Sequence, residues 1–65
     1  MSDHNKNAAF WAESVSVWTR FVETDLAKGD YAGVLTDLTI IESSIKWLRG
    51  HVEALETESL RNKAA

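Results

Sequence analysis

The chain has 65 residues and a mass of 7.3 kDa, and it carries 7 basic and 10 acidic side chains. A chain of this length forms one domain at most, and its own core is marginal because it buries only about 60% of the surface exposed on unfolding. It contains no cysteine and only two histidines, which excludes a disulfide framework and argues against structural zinc. The formal net charge of −3 disfavours nucleic acid and anionic lipid as partners.

The first predicted helix covers residues 8–28, a stretch without glycine or proline. Lys28 places a cation at the helix end, and Gly29 suits the left-handed position that follows. Asp30 can then cap the start of the next helix. A turn of two residues (29–30) predicts antiparallel neighbours, so we expect an all-α fold built as an αα-hairpin.

The second predicted helix covers residues 31–60 and carries the clearest pattern in the chain. Apolar residues alternate at spacings of three and four, which is typical of coiled-coil-like packing. They are Tyr31, Val34, Leu38, Ile41, Ile45, Leu48, Val52 and Leu55. Because this repeat continues in phase across Gly50, we expect an unbroken helix with Gly50 on its outer face.

The predicted domain covers residues 8–62. A polar N-terminal tail over 1–7, which supplies Asn5 or Asn7 as the cap of the first helix, is expected to be flexible, and residues 61–65 are expected to fray.

The first helix is more apolar than a single hairpin requires. One stripe completes the predicted oligomer seam with Trp11, Val15, Trp18 and Val22. A second set of large apolar residues lies beside the seam on both helices and is the candidate partner-binding surface: Phe10, Phe21, Ile40 and Trp47. We therefore expect two hairpins to pair as a four-helix bundle, leaving the second set for another protein.

The sequence contains no group of residues that indicates catalysis. The acidic residues are expected mostly on polar outer faces, and Ser43 and Ser44 on outer or flanking positions. His51 is expected to flank the seam without an adjacent nucleophile. The sequence therefore predicts no enzyme activity, no cofactor and no metal site.

The layout as a whole, a 65-residue hairpin that dimerises through heptads, resembles the Rop family of plasmid-copy-number regulators. That resemblance implies a dimeric four-helix bundle that binds paired RNA loops through one face of its helix-one pair. The outward residues of helix one here mix acidic and basic groups, however, and Lys46 with Arg49 is only a small cationic cluster. RNA binding is therefore the alternative to the main expectation.

The main expectation is a small protein–protein interaction module, an adaptor, inhibitor or assembly factor in the style of short bacterial, phage or plasmid reading frames. Its expected partners are a second copy of itself and one other protein. The polar start of the chain lacks the features of a signal peptide, and no stretch approaches about 18 apolar residues. A cytoplasmic location without membrane contact is therefore expected.

Overall fold

The computed structural model describes residues 3–64 and shows two antiparallel helices packed as a hairpin. Helix α1 spans His4–Lys28 and helix α2 spans Tyr31–Ala64. The predicted all-α hairpin is confirmed.

Both helices are longer than the sequence predicts. Helix α1 begins four residues early, and its first backbone bond runs from the Asn7 amide to the Asp3 carbonyl at 3.0 Å. The prediction of Asn5 or Asn7 as the cap is therefore wrong: Asp3 stands at the N-cap position, without a side-chain capping bond. Residues 4–7, which belong to the predicted tail, are therefore helical. Residues 1 and 2 of that tail lie outside the described part of the chain. At the other end α2 includes residues 61–64, where fraying is expected, and residue 65 is not described.

The turn between the helices has the predicted chemistry. Gly29 adopts φ +74°, a left-handed conformation that a residue with a Cβ rarely takes. Its amide donates to the Leu26 carbonyl at 3.1 Å, and the Asp30 amide donates to the Asp25 carbonyl at 2.9 Å. These two bonds form a Schellman end to α1. The Asp30 carboxylate then accepts the Gly33 amide at 3.0 Å and caps α2.

Helix α2 is continuous across Gly50, as predicted. Gly50 is exposed, and a Cβ built there would meet no atom within 4 Å. The glycine therefore lies on the outer side of α2, where it interrupts neither packing nor the helix.

The helices meet along one line of residues on each helix, spaced by seven. On α2 this contact line is marked by the two buried residues, Asp37 at 5% exposure and Ser44 at 1%. Seven-residue steps extend it to half-buried positions, and the α1 line follows the same spacing. The α2 line is Asp37, Ser44, His51 and Glu58; the α1 line is His4, Trp11, Trp18 and Asp25.

The hairpin buries no apolar side chain among its described residues, and its only two buried residues are polar. The molecule measures 54 × 14 × 13 Å, a single layer of two helices. Its accessible surface of 5128 Å² exceeds by roughly 900 Å² the ~4,200 Å² expected of a compact monomer of this mass. One hairpin therefore has interhelical contacts but no closed hydrophobic core.

Candidate protein interaction site

The contact lines divide the hairpin surface into two opposite faces. Successive helical residues are about 100° apart, so residues one and four positions after a contact-line residue lie to one side of it. Residues three and six positions after it lie to the other side. Because the helices are antiparallel and share one handedness, equal steps on α1 and α2 reach the same side of the hairpin.

The first side is an aliphatic face. Its α2 part contains all eight residues of the heptad repeat, from Tyr31 to Leu55. At about 1.5 Å per residue this apolar band extends over roughly 36 Å. Helix α1 adds Val15, Val22 and Leu26. The residues nearest the contact line are half-buried, whereas those farther out are exposed: Leu26, Tyr31, Leu38, Ile45 and Val52.

The opposite side is an aromatic face, formed mostly by α1. Trp47 of α2 stacks on Trp11 with ring centroids 6.2 Å apart, and Phe10 meets Trp11 edge-on at 5.1 Å. Trp18 and Phe21 form a third ring pair at 5.0 Å. Each such pair stabilises the ring arrangement by about 0.5–1.5 kcal/mol, in addition to the free energy of burying its apolar area. The rings of the aromatic face therefore hold one another in position.

An open groove of about 330 Å³ runs along this face of α1. Phe10, Val17 and Trp18 line its apolar part, and Glu13 and Ser14 supply its polar atoms. A groove of this volume lies at the lower end of the range for small binding clefts.

The structure separates residues that the sequence places in one seam. Trp11 and Trp18 lie on the contact line beside the aromatic face, whereas Val15 and Val22 lie on the aliphatic face with the helix-two repeat. Of the candidate partner-binding residues, Phe10, Phe21 and Trp47 are exposed at 62%, 48% and 58%. Ile40 is half-buried on the same side. The seam and partner assignments themselves stay predictions.

The apolar heptad repeat did not predict the polar pairs that form between the helices. The Ser14 and Ser44 hydroxyls lie 3.2 Å apart, and the Nδ1 atoms of His4 and His51 lie 2.8 Å apart. The prediction of Ser44 as an outer or flanking residue is wrong, because a small side chain occupies the point where the two helices meet. Ser43, by contrast, is exposed as predicted. The seven-residue spacing of Asp37, Ser44 and His51, one position before the apolar repeat, was the available signal.

Three carboxyl groups meet at the turn end of the contact line. A Cβ on Gly33 would lie 2.5 Å from Asp30 Oδ2 and 3.0 Å from Asp25 Oδ2, so glycine provides the space for both. Asp37 faces the same cluster, and the expectation of a solvated acidic residue is wrong for it. Burial of Asp37 follows from its place on the contact line.

The environment of Asp37 favours its protonated form. A hydrogen bond with the Asp25 carboxyl, burial, and the negative charges of Asp25 and Asp30 raise the pKa of Asp37 to about 6. No described residue donates a hydrogen bond to its buried Oδ2. Two carboxyl groups can bond to each other only when one holds a proton, so Asp25 and Asp37 form an acid pair below about pH 6, where Asp37 is protonated.

Residues 3–64 contain no group of three or more His, Asp or Glu side chains arranged to hold a metal ion. Neither of the two helices has an apolar stretch long enough to cross a membrane.

No protein-family model matches the chain, and comparisons with curated proteins and with solved structures find no significant match. The function is therefore inferred from the two faces of the hairpin.

Proposed function

We propose that the chain is a non-enzymatic protein–protein interaction module of the cytoplasm that acts as a homo-oligomeric helical bundle, an adaptor, inhibitor or assembly factor. One observation supports this most strongly: no apolar side chain among the described residues is buried, while eleven large apolar side chains are exposed. Nine of the eleven lie on the two faces, and exposed apolar surface of this extent in a small protein indicates a surface that another chain covers.

The aromatic face supports binding of a second protein. Tryptophan is enriched at the energetic centres of interfaces because it offers large contact area with few rotatable bonds. Trp47 is exposed yet already positioned by its stack on Trp11, so little side-chain entropy is lost when a partner covers it. The ring pairs and the groove beside Phe10 fit an apolar segment of a partner helix.

The Rop-like alternative has less support. Phosphate recognition needs clustered cations, and Arg20 on the outer side of α1 lies between Glu13 and Glu23 in the same helix. Lys46 and Arg49 are exposed on α2 but form only a pair. Binding of structured RNA that weakens steeply with added salt would favour this alternative over the proposal.

The proposal is tested by crosslinking in the native host, followed by purification and mass spectrometry of attached proteins. Trp47→Ala should abolish crosslinking to a defined partner, whereas Leu35→Ala should not. Leu35 is a suitable control because it is similarly exposed, at 65%, and lies outside both faces. Circular dichroism must show that both variants keep wild-type helix content. Equal recovery of partners by the two variants would contradict a partner site at Trp47.

Self-association is tested by light scattering during size-exclusion chromatography over a hundredfold concentration range. A mass of at least two chains of 7.3 kDa is expected. A single-chain mass throughout would contradict the homo-oligomeric part of the proposal.

A further inference from the structure

We propose that a second copy of this chain packs on the aliphatic face, leaving the aromatic face uncovered in the assembly. This inference rests on the proposed function and adds which of the two apolar faces joins the copies. It separates residues that a single oligomer seam would combine: Trp11 and Trp18 would lie outside the interface that Leu38 and Ile45 form.

The area of surplus surface fits one interface. The hairpin exposes roughly 900 Å² more than a compact chain of its mass, and a stable dimer of standard size buries about 800 Å² on each partner. Covering one interface of standard size on each copy would thus bring the exposed surface close to that of a compact chain. Covering one face would also convert the single layer of helices, 14 × 13 Å across, into the two-layer arrangement that encloses a core.

The two faces differ in continuity along α2. On the aliphatic face every outer position of α2 from Tyr31 to Val52 is apolar. On the aromatic face the corresponding outer positions are small or polar: Thr36, Ser43, Gly50 and Thr57. Only the aliphatic face therefore carries an unbroken apolar band along α2, and Val15, Val22 and Leu26 of α1 lie beside it.

The aliphatic face also lacks charge. No ionisable acid or base lies among its positions between residues 5 and 55, apart from the Tyr31 phenol. Its one central hydroxyl, on Thr19, donates to the Val15 carbonyl at 2.7 Å and needs no other partner. Two copies with a net charge of −3 each can thus associate without burying an unpaired charge. The 3.5-residue spacing of the band matches left-handed bundle packing.

The test compares matched pairs of substitutions by light scattering, over the concentration range in which the wild type associates. Leu38→Gln with Ile45→Gln removes apolar groups from the aliphatic face, and Phe21→Gln with Trp47→Gln removes them from the aromatic face. The exposures are comparable, at 39% and 42% against 48% and 58%. We expect the aliphatic-face variant to show at least a tenfold weaker association and the aromatic-face variant to keep the wild-type mass.

Loss of mass in the aromatic-face variant would overturn the assignment, whatever the aliphatic-face variant does. A monomeric wild type would instead contradict the homo-oligomeric function itself, so the two failures are distinguishable.

A second measurement keeps the inference testable when the aliphatic-face variant does not fold. All three tryptophans lie on or beside the aromatic face, and Trp47 is the exposed one. Acrylamide should therefore quench Trp47 in the fully associated wild type, and Trp47→Phe should remove that quenchable emission. Protection of Trp47 in the assembly would show that the aromatic face is covered and would overturn the inference.

Discussion

Ser43 and Ser44 are adjacent identical residues with opposite environments, and they provide a direct test of the contact line. Ser44 is 1% exposed with its hydroxyl 3.2 Å from that of Ser14, whereas Ser43 is exposed. Substitution of Ser44 by leucine adds bulk where the helices meet, which costs about 1–3 kcal/mol. It also removes the hydroxyl pair, worth about 1 kcal/mol. The expected loss of about 2–4 kcal/mol for Ser44→Leu corresponds to a decrease in Tm of roughly 10 °C or more.

The assay is thermal unfolding followed by far-ultraviolet circular dichroism. Ser43→Leu is the matched control, since a surface substitution changes the free energy of unfolding by about 0.5 kcal/mol or less. All variants must be compared at one protein concentration, because association shifts the apparent Tm. An equal or higher Tm for Ser44→Leu would refute close packing at this position, and the contact line drawn through it would then be wrong.

The hydroxyl pair can be separated from the effect of bulk by a double-mutant cycle. Ser14→Ala and Ser44→Ala should each destabilise the hairpin, and the double variant should lose less than the sum of the two. A coupling free energy of about 0.5–1.5 kcal/mol is expected for a net hydrogen bond. Zero coupling would show that the two hydroxyls do not interact.

Three further predictions concern two glycines, the cap of α2 and the protonation of Asp37. Gly50→Ala should raise the free energy of unfolding by about 0.5–1 kcal/mol, because this exposed helical position has room for a Cβ. Gly29→Ala should lower the free energy of unfolding by about 1–2 kcal/mol, because Gly29 has a positive φ. Thermal unfolding distinguishes the two signs. Asp30→Ala should cost about 1 kcal/mol more than Asp30→Asn in the same assay, because asparagine retains the cap. The raised pKa of Asp37 means that the folded chain keeps a proton that the unfolded chain releases, so this group makes the free energy of unfolding fall as pH rises from about 4 to about 6. Asp37→Asn should therefore stabilise the chain more at pH 7 than at pH 4.5 in urea titrations, and an equal effect at both pH values would contradict the acid pair.

The hairpin itself was predictable because its signals are local. Gly29 and Asp30 determine the turn through conformations and hydrogen bonds within a few residues, and the apolar repeat in phase across Gly50 favours one long helix. The early start of α1 was not predictable in the same way. It depends on a backbone bond from Asn7 to Asp3 rather than on a recognisable side-chain cap.

The faces were only partly predictable, because an apolar repeat shows which residues share a stripe but not the direction in which the stripe points. The repeat containing Leu38 and Ile45 was expected to lie in a seam, and the structure turns it to one side of the line through Asp37 and Ser44. That orientation depends on which residues are small enough to sit between the helices. It is a property of the pair of helices and not of either sequence pattern alone.

No apolar side chain is buried among residues 3–63, and under the proposed pairing of two copies this links the folding of the chain to its abundance. Where two copies are needed to enclose one core, the folded protein accumulates with the square of the chain concentration at low levels, by mass action. A modest increase in synthesis then gives a disproportionate increase in active assembly, and dilution during growth removes it equally steeply. Such a protein responds to its own expression level with a threshold, without any ligand or modification.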